Sequence, residues 1–239
     1  LGATSAIAHQ TARQFAGDGA SFFLVARNEA KLNALRDDLL AYGAQQVDCT
    51  TQDLTDTSAH AGLIDQAQGM LGGLDAVLLC YGTLPDQAAA EHEPATALEA
   101  FDTNFLSAMA FLTVVGNLFE RRRRGVIAVV SSVAGDRGRA SNYVYGAAMA
   151  AKTAFVSGLR NRLAKSGVRV ITIKPGLVDT PMTAHLEKGI IWAQPDRVGA
   201  DIHKAMREGG DVVYTPRFWR YIMALIRLIP EPIFKRLSL

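Results

Sequence analysis

The feature that most constrains this chain is a regular alternation of short apolar runs with longer amphipathic stretches. Continuous apolar runs of this length are typical of parallel strands that are covered on both faces. Five segments show the pattern: Ser21–Ala26, Ala76–Cys80, Gly125–Ser131, Val168–Lys174 and the shorter Asp211–Thr215. The alternation predicts an α/β fold built on a doubly wound parallel sheet with helices on both faces, whose ligand lies at the carboxyl ends of the strands.

Amphipathic helices are predicted between these runs. Glu29–Tyr42 places its leucines on one face, and Thr57–Leu71 repeats the pattern after an expected cap at Asp56 or the residue that follows it. Two longer helices are predicted over Pro94–Glu120 and Tyr143–Ser166. The alternation continues as far as residue 215, so we expect one domain over residues 1–215 and a separate tail over residues 216–239.

Composition narrows the classes of protein. The 239 residues are 49% hydrophobic, which suits one large core, and 25 basic against 23 acidic residues argue against a nucleic-acid partner. The basic run Arg121–Arg124 is expected at a helix C-terminus, where the helix dipole favours cations. Cys49 and Cys80 have neither metal-ligand nor disulfide spacing, so we expect no metal and a cytoplasmic location. Neither a secretory signal nor a membrane span is predicted.

A glycine turn opens the chain. Gly2–Ala8 (GATSAIA) precedes a helix that runs to about Gly17. Backbone N–H groups in such a turn approach a phosphate group at the helix N-terminus, although a plain strand–turn–helix is the alternative. A turn of this type follows a buried strand, so we expect a strand before Leu1.

Four further motifs carry chemistry. Asn104 stands in the sequence DTN, and Ser132 follows the apolar run that ends near residue 131. Tyr145 comes thirteen residues after Ser132, and residues 174–180 (KPGLVDT) follow the next strand. In this order, and with the glycine turn, these motifs resemble the short-chain dehydrogenase/reductase family over about residues 1–205. The resemblance implies a Rossmann-type domain that binds a nicotinamide dinucleotide.

The resemblance implies catalytic roles for three of these residues. A carbonyl that accepts hydride develops negative charge on oxygen and must gain a proton. Tyr145 would supply that proton, Ser132 would hold the oxygen, and Asn104 would support a relay water. A free tyrosine has a pKa of about 10, which is poorly matched to neutral pH.

The resemblance also implies which residues line the cofactor. Adenine would contact Asp53 and Leu54, and the stretch Leu79–Gly82 stands where the family has Asn-Asn-Ala-Gly. The complete set of expected cofactor residues is Gly2, Thr4, Ser5, Ala6, Ile7, Arg27, Asn28, Asp53, Leu54, Tyr81, Gly82, Tyr145, Pro175, Gly176, Val178 and Thr180.

The choice between NADP(H) and NAD(H) depends on the carboxyl end of the predicted strand Ser21–Ala26, which is the second strand when the one expected before Leu1 is counted. An NAD-specific site usually has a carboxylate there, which accepts from the ribose 2′-hydroxyl. Ala26 stands at that position and Arg27 follows it. Because a guanidinium suits a 2′-phosphate, we expect NADP(H) rather than NAD(H); a solvated surface arginine is the alternative.

The sequence departs from the family pattern at one catalytic position. The family has a lysine four residues after the tyrosine, where its ammonium lowers the tyrosine pKa and holds the nicotinamide ribose. Met149 stands there instead, and a thioether does neither. The nearest lysine, Lys152, is seven residues from Tyr145 and so about 10 Å along the helix on the same face. Three interpretations remain open: Lys152 substitutes, the site is impaired, or Met149 is not the native residue.

The tail, Arg217–Leu239, alternates basic residues with large apolar ones. It fits an interfacial amphipathic segment, a terminal helix packed on the domain or at a dimer interface, or a substrate lid. The tail and Gly82–Gln87 resemble a branch of the family that includes decaprenylphosphoryl-2-keto-ribose reductases, which act on a polyprenyl-linked sugar.

Together these features predict an NADP(H)-dependent oxidoreductase that interconverts a ketone and a secondary alcohol, on an apolar or lipid-linked substrate. The loop at about Thr183–Gln194 would set specificity. We expect a homodimer or homotetramer, in the cytoplasm or peripheral to a membrane. The rival hypothesis, which Met149 favours, is a dinucleotide-binding protein without turnover.

Overall fold

Six strands run parallel in this computed structural model, which describes residues 1–237. They are β1 (Ser21–Ala26), β2 (Gln46–Thr51), β3 (Ala76–Leu79), β4 (Val126–Val130), β5 (Arg169–Pro175) and β6 (Val212–Thr215). β1 pairs with β2, and the other four pair in the order β3-β4-β5-β6. All five predicted runs form strands, with ends that agree or differ by one residue, and β2 is an additional strand.

Leu1 lies between the two groups of strands. Its amino group donates to the carbonyl oxygen of Leu78 at 2.8 Å, and its own carbonyl oxygen accepts from the N–H of Cys80 at 3.1 Å. The N–H of Gly2 donates to the carbonyl oxygen of Val25 at 2.9 Å. This segment therefore links β3 to β1, while the strand expected before Leu1 stays a prediction.

Ten α-helices surround the strands within the described residues. They are α1 (Ala6–Gly17), α2 (Glu29–Ala41), α3 (His60–Leu71), α4 (Gln87–His92), α5 (Pro94–Phe101), α6 (Ser107–Arg122), α7 (Tyr143–Ala164), α8 (Pro195–Glu208), α9 (Trp219–Leu228) and α10 (Glu231–Phe234). The Asp56 side chain accepts from Ser58 N–H and begins a short 3-10 turn before α3. Arg121 and Arg122 lie in the last turn of α6, as predicted.

Alternate strand residues face two helical layers, because successive side chains of a strand point to opposite faces. On β4, Ile127 and Val129 pack in a cluster with α3, α6 and α7. Ala128, between them, packs with α8 instead. The sheet is thus covered on both faces, which is the doubly wound arrangement that the apolar runs predict.

The predicted helix Pro94–Glu120 is interrupted. A π-helical turn, Asp102–Leu106, separates α5 from α6. By length and composition, with a mean hydropathy of 1.3, Pro94–Arg122 is the one described stretch apolar enough to cross a membrane, which the sequence analysis did not predict. Packing accounts for part of its apolar residues, since Phe111, Leu112 and Phe119 belong to the core, while Leu98 and Leu106 are exposed.

The tail packs on the domain through α9 and α10. Trp219 and Met223 form a buried cluster with Val133, which directly follows Ser132. The guanidinium of Arg137 donates to the carbonyl oxygens of Ile226 and Ile229 at 2.5 and 2.6 Å. Residues 238 and 239 of the predicted tail segment lie outside the described residues.

Candidate active site

The glycine turn brings Gly2 against Tyr81. Gly2 has φ +69°, and a Cβ there would lie 2.6 Å from Cβ of Tyr81, so only glycine fits. Ser5 is the N-terminal cap residue of α1, but its side chain makes no capping hydrogen bond; its Oγ lies 3.5 Å from Sγ of Cys80. The first turn of α1 therefore presents backbone N–H groups without a side-chain acceptor, an arrangement that suits a phosphate.

The remaining residues of this turn differ in exposure. Thr4 is exposed, Ala6 and Ile7 are half-buried, and Ile7 packs against the cluster under α8. The turn thus offers one exposed hydroxyl next to the helix N-terminus. Its other side chains support the backbone from below.

Arg27 and Asp53 meet at the carboxyl ends of β1 and β2. Both are exposed, and Ala26 pairs with Thr51 in the register of these two strands. Oδ1 of Asp53 accepts from the N–H and the hydroxyl of Thr55 at 3.0 and 2.8 Å. These bonds, and then the nearby Arg27, lower the pKa of Asp53. The edge therefore carries a fixed carboxylate and, near it, a guanidinium that forms no ion pair within residues 1–237.

Two other residues predicted at this edge have roles in the fold. Asn28 caps α2, because its side chain accepts from the N–H of Lys31 at 2.9 Å. Leu54 is buried with Val25 and Leu63. Both residues can still contact a cofactor. Their roles in the fold are sufficient, however, to explain why an asparagine and a leucine stand at these positions.

Asn104 lies in the π-helical turn and is fully buried. Its Oδ1 accepts from Thr83 N–H, and its Nδ2 donates to the Thr83 carbonyl oxygen, both at 2.9 Å. A Cβ at Gly82 would lie 2.5 Å from Oδ1, so these two predicted residues are in contact. The amide keeps one lone pair and one N–H for a further partner.

Tyr81, between the glycine turn and this asparagine, is tied to α6. Its hydroxyl and that of Ser107 lie 2.9 Å apart. Burial raises the pKa of Tyr81 to about 12, so the phenol is neutral and holds the strand end in position.

Ser132 and Tyr145 form the hydroxyl pair of the site. Ser132 follows β4, and its Oγ accepts from Ala134 N–H at 3.1 Å. Tyr145 lies in the first turn of α7 and is hydrogen-bonded to Ser132. Burial raises the pKa of Tyr145, and the bond to Ser132 partly opposes that rise. Two hydroxyls thus converge where a carbonyl oxygen would need a proton and a donor.

Lys152 is directed to the sheet. The side chain is 1% exposed, and Nζ donates to the carbonyl oxygen of Val130 at a long 3.5 Å. Burial lowers the pKa of Lys152 to about 8. The Cys80 thiol influences the pKa of both Lys152 and Tyr145, so it lies near both groups.

Met149 is buried at the position of the family lysine. It is 2% exposed, and its backbone carbonyl oxygen accepts from Oγ of Ser131 at 3.1 Å. The groups that shift the pKa of Tyr145 are Ser132 and Cys80, neither of which is a cation. The acidifying charge that the family places beside the tyrosine is therefore not supplied from this position.

The loop after β5 is held by its own hydrogen bonds. Pro175 ends β5, and Val178 pairs with Ala193. Thr180 begins a 3-10 turn whose Thr183 hydroxyl donates to the Val178 carbonyl oxygen at 2.6 Å. The loop thus has a defined conformation, and its Leu177 packs with Val133, the residue after Ser132.

Sequence reasoning missed three contacts around this loop, which involve Trp219 of the tail and Asp136 of the segment after Ser132. A Cβ at Gly176 would lie 1.8 Å from Nε1 of Trp219, so the tail packs directly on the loop. Asp136 forms a buried ion pair with Lys174 and accepts from the Tyr214 hydroxyl at 2.8 Å. No spacing in the sequence indicates any of these contacts, because each joins segments about 40 to 80 residues apart.

Comparisons with known proteins agree with this geometry. The family model described as short chain dehydrogenase matches residues 1–190. An uncharacterized oxidoreductase of Mycobacterium tuberculosis is 34% identical over 237 residues, covering 99% of this chain and 95% of the relative. An uncharacterized oxidoreductase of Streptomyces coelicolor is also 34% identical, covering 99% and 94%. The chain therefore belongs to the short-chain dehydrogenase/reductase family.

Solved structures share the fold. Levodione reductase superposes with a TM-score of 0.83 at 19% identity, covering 91% of this chain and 94% of that one. A 7α-hydroxysteroid dehydrogenase superposes with a TM-score of 0.81 at 21% identity, covering 90% of each. The Rossmann-type fold is confirmed, and the protein is an enzyme of the dehydrogenase/reductase class that uses a nicotinamide dinucleotide.

Proposed function

We propose that this enzyme interconverts a ketone and a secondary alcohol with NADP(H). The observation that carries the proposal is the Ser132–Tyr145 hydroxyl pair at the carboxyl end of β4, where a parallel sheet of this type binds ligands. Ser132 orients the carbonyl oxygen, Tyr145 donates or accepts its proton, and Asn104 holds a relay water. The 7α-hydroxysteroid dehydrogenase was solved with NADH and an oxo-steroid, which supports ketone chemistry by analogy.

The residues of the glycine turn fit a dinucleotide. Gly2 lets the turn pack against Tyr81, and the uncapped first turn of α1 accepts a phosphate. Arg27 is exposed and forms no ion pair within the described residues, so it is available to a 2′-phosphate. When bound, the cofactor supplies or accepts the hydride. The residues of this chain bind the cofactor, and Tyr145 donates or accepts the proton.

The alternative proposal is a dinucleotide-binding protein with little turnover. The specific observation in its favour is that the ammonium of Lys152 donates to the Val130 carbonyl oxygen, while Met149 occupies the family position. If Lys152 substitutes, it acts from the sheet side, close to Cys80, and with a pKa near 8 it exchanges protons at mildly alkaline pH.

We also propose that the tail docks on an anionic membrane surface. Helix α9 buries Trp219 and Met223, yet its opposite face exposes an apolar stripe at helical spacing: Phe218, Tyr221, Leu225 and Leu228. Arg217, Arg220 and Arg227 flank the stripe. A symmetric contact between two such helices would bring like charges together, which favours a bilayer over a second copy.

The tail also bears on substrate and assembly. Because Trp219, on the buried face of α9, packs against the loop after β5, the docked helix adjoins that loop, which suits an apolar or lipid-linked substrate. Likeness to the decaprenylphosphoryl-2-keto-ribose reductase branch stays a prediction. For the homodimer or homotetramer, the exposed Leu98 and Leu106 beside α6 offer apolar surface away from the tail.

A turnover assay tests the main proposal. NADPH binding is first established by calorimetry, and a panel of aliphatic, cyclic and long-chain ketones is then assayed for NADPH oxidation. Tyr145→Phe keeps the ring and removes the proton donor, so it should reduce turnover by at least about 100-fold. Binding without turnover of any ketone, or unchanged turnover in Tyr145→Phe, would contradict the proposal.

A further inference from the structure

A cavity of about 330 Å³ lies between the tail and the segment that joins Ser132 to Tyr145. Arg139 and Tyr143 line it from that segment, and Glu231, Phe234 and Lys235 line it from the tail. None of these residues belongs to the cofactor or catalytic set described above. The cavity is therefore separate from that set and adjoins the segment that joins the two hydroxyl residues.

Arg139 is the unusual member of this lining. Its guanidinium is half-buried, and its Nε is buried without a hydrogen-bond partner in the described part of the chain. Burial lowers the pKa of Arg139, and no carboxylate of residues 1–237 opposes that shift. A desolvated charge without a counter-ion is costly, whereas an anion that reaches it gains a charge-assisted hydrogen bond.

Glu231, the acidic residue of the cavity lining, already forms an ion pair with Arg137. Oε2 of Glu231 accepts from Nη2 of Arg137 at 2.9 Å, and the same guanidinium lies 3.5 Å from the ring centre of Phe234. Lys235 is exposed and forms no ion pair within residues 1–237. Within residues 1–237, Arg139 and Lys235 thus bring two positive charges to the cavity, and its one carboxylate, Glu231, is already paired.

The rest of the lining is apolar. Phe234 is buried with its ring in the wall, while Tyr143 and Leu237 are each more than 40% exposed at the rim. We propose that this cavity is an anion-binding subsite for a phosphate or carboxylate group carried on an apolar chain. A guanidinium fits both oxyanions in a bidentate geometry, and the aromatic rings accommodate the attached chain.

The subsite also defines a substrate class. Arg139 lies on the segment between Ser132 and Tyr145, so one molecule can present a ketone to the hydroxyls and an anionic group to the guanidinium. This assignment of the occupant as substrate rests on the function proposed above. Anion binding itself does not.

Calorimetry with the full chain tests the subsite, using hexyl phosphate and inorganic phosphate as probes. Hexyl phosphate should bind more tightly than inorganic phosphate, and Arg139→Gln should weaken its binding roughly tenfold or more. Arg124→Gln, at an exposed arginine that removes the same charge, should leave binding unchanged. Lys235→Gln, at an exposed position that the fold tolerates, should weaken binding several-fold.

A second arm identifies the source of the anion. Vesicles of neutral lipid with added dihexadecyl phosphate are compared with dissolved hexyl phosphate. Arg139-dependent binding of the dissolved probe supports a soluble ligand, and Arg139-dependent binding of vesicles alone supports a lipid headgroup. Equal binding by Arg139→Gln and Arg124→Gln in both arms overturns the subsite. Intact anion binding without turnover of any ketone would contradict only the proposed reductase function.

Discussion

Nζ of Lys152 donates to the carbonyl oxygen of Val130 across 3.5 Å, in a side chain that is 1% exposed. The lysine nearest in sequence to Tyr145 is thus anchored at the end of β4, two helical turns away. Burial raises the pKa of Tyr145, and no cation lies where the family lysine would oppose that rise. Proton transfer at neutral pH is the step that this arrangement weakens.

We therefore expect Met149→Lys to raise turnover. An ammonium one helical turn after Tyr145 would lower the tyrosine pKa and move the pH optimum of kcat downward. Proton transfer by a well-matched group contributes about 10²–10⁴-fold, and much of this should be recovered. The measurement is kcat and kcat/KM for a ketone against pH, with Met149→Leu as the apolar control and thermal unfolding as the check on folding.

Lys152→Ala separates the two interpretations of this site. If it removes most of the activity while Met149→Lys adds none, Lys152 has taken over the role and the preceding prediction is wrong. If the unmodified chain and both variants show no turnover, the dinucleotide-binding alternative becomes the better account.

Cofactor preference should depend on Arg27. NADP(H) should bind about tenfold or more tightly than NAD(H), because a charge-assisted contact contributes about 1.5–3 kcal/mol. Arg27→Ala should remove the preference and leave NAD(H) affinity nearly unchanged. Arg36→Ala, which removes an exposed arginine paired with Asp37, is the matched control. Calorimetry that shows equal or tighter NAD(H) binding by the unmodified chain would contradict this prediction.

The tail should bind anionic vesicles at low salt and release as salt rises, because surface charges are screened. Deletion of the tail is a poor test, since Trp219 and Met223 are buried and their loss would open the core. Tyr221→Ser with Leu225→Ser should instead abolish co-sedimentation and keep NADPH affinity. Leu98→Ser, at a site 70% exposed on α5, is the control. Failure of the unmodified chain to co-sediment would leave the packing and lid interpretations.

Stability at low pH should depend on Asp38. Hydrogen bonds from Arg13 and then His9 lower the pKa of Asp38 from 3.8 to about 2. Because the folded-state pKa is the lower one, the stabilisation is present above about pH 4 and is lost as pH falls toward 2. With screening of this partly exposed carboxylate, Asp38→Asn should cost on the order of 1–2 kcal/mol at pH 7.

Urea unfolding of both proteins at pH 7 and pH 2 measures this effect. The difference in free energy of unfolding should shrink at the lower pH. Asp37→Asn, at a neighbouring and more exposed carboxylate, should change stability little. An equal loss in both variants at pH 7 would show that the hydrogen bonds to Asp38 are not the cause.

Local pattern was enough to predict most of the framework. Ser21–Ala26 is a strand with the predicted ends, because a buried strand begins and ends where its apolar run does. The helix over Pro94–Glu120 was predicted without its π-helical turn, since apolar periodicity continues through it. The contact between Asn104 and Gly82 was not predicted, because it joins residues 22 positions apart in sequence.

The sequence by itself determined the fold class, the family and the order of the motifs, because these depend on residue type and spacing along the chain. It also shows that position 149 is a methionine and not the lysine of the family. Only the tertiary structure decided where Lys152 points, what Trp219 contacts and that the Nε of Arg139, beside a cavity, has no hydrogen-bond partner among the described residues. Those outcomes depend on burial and on contacts between distant segments, which no local pattern contains.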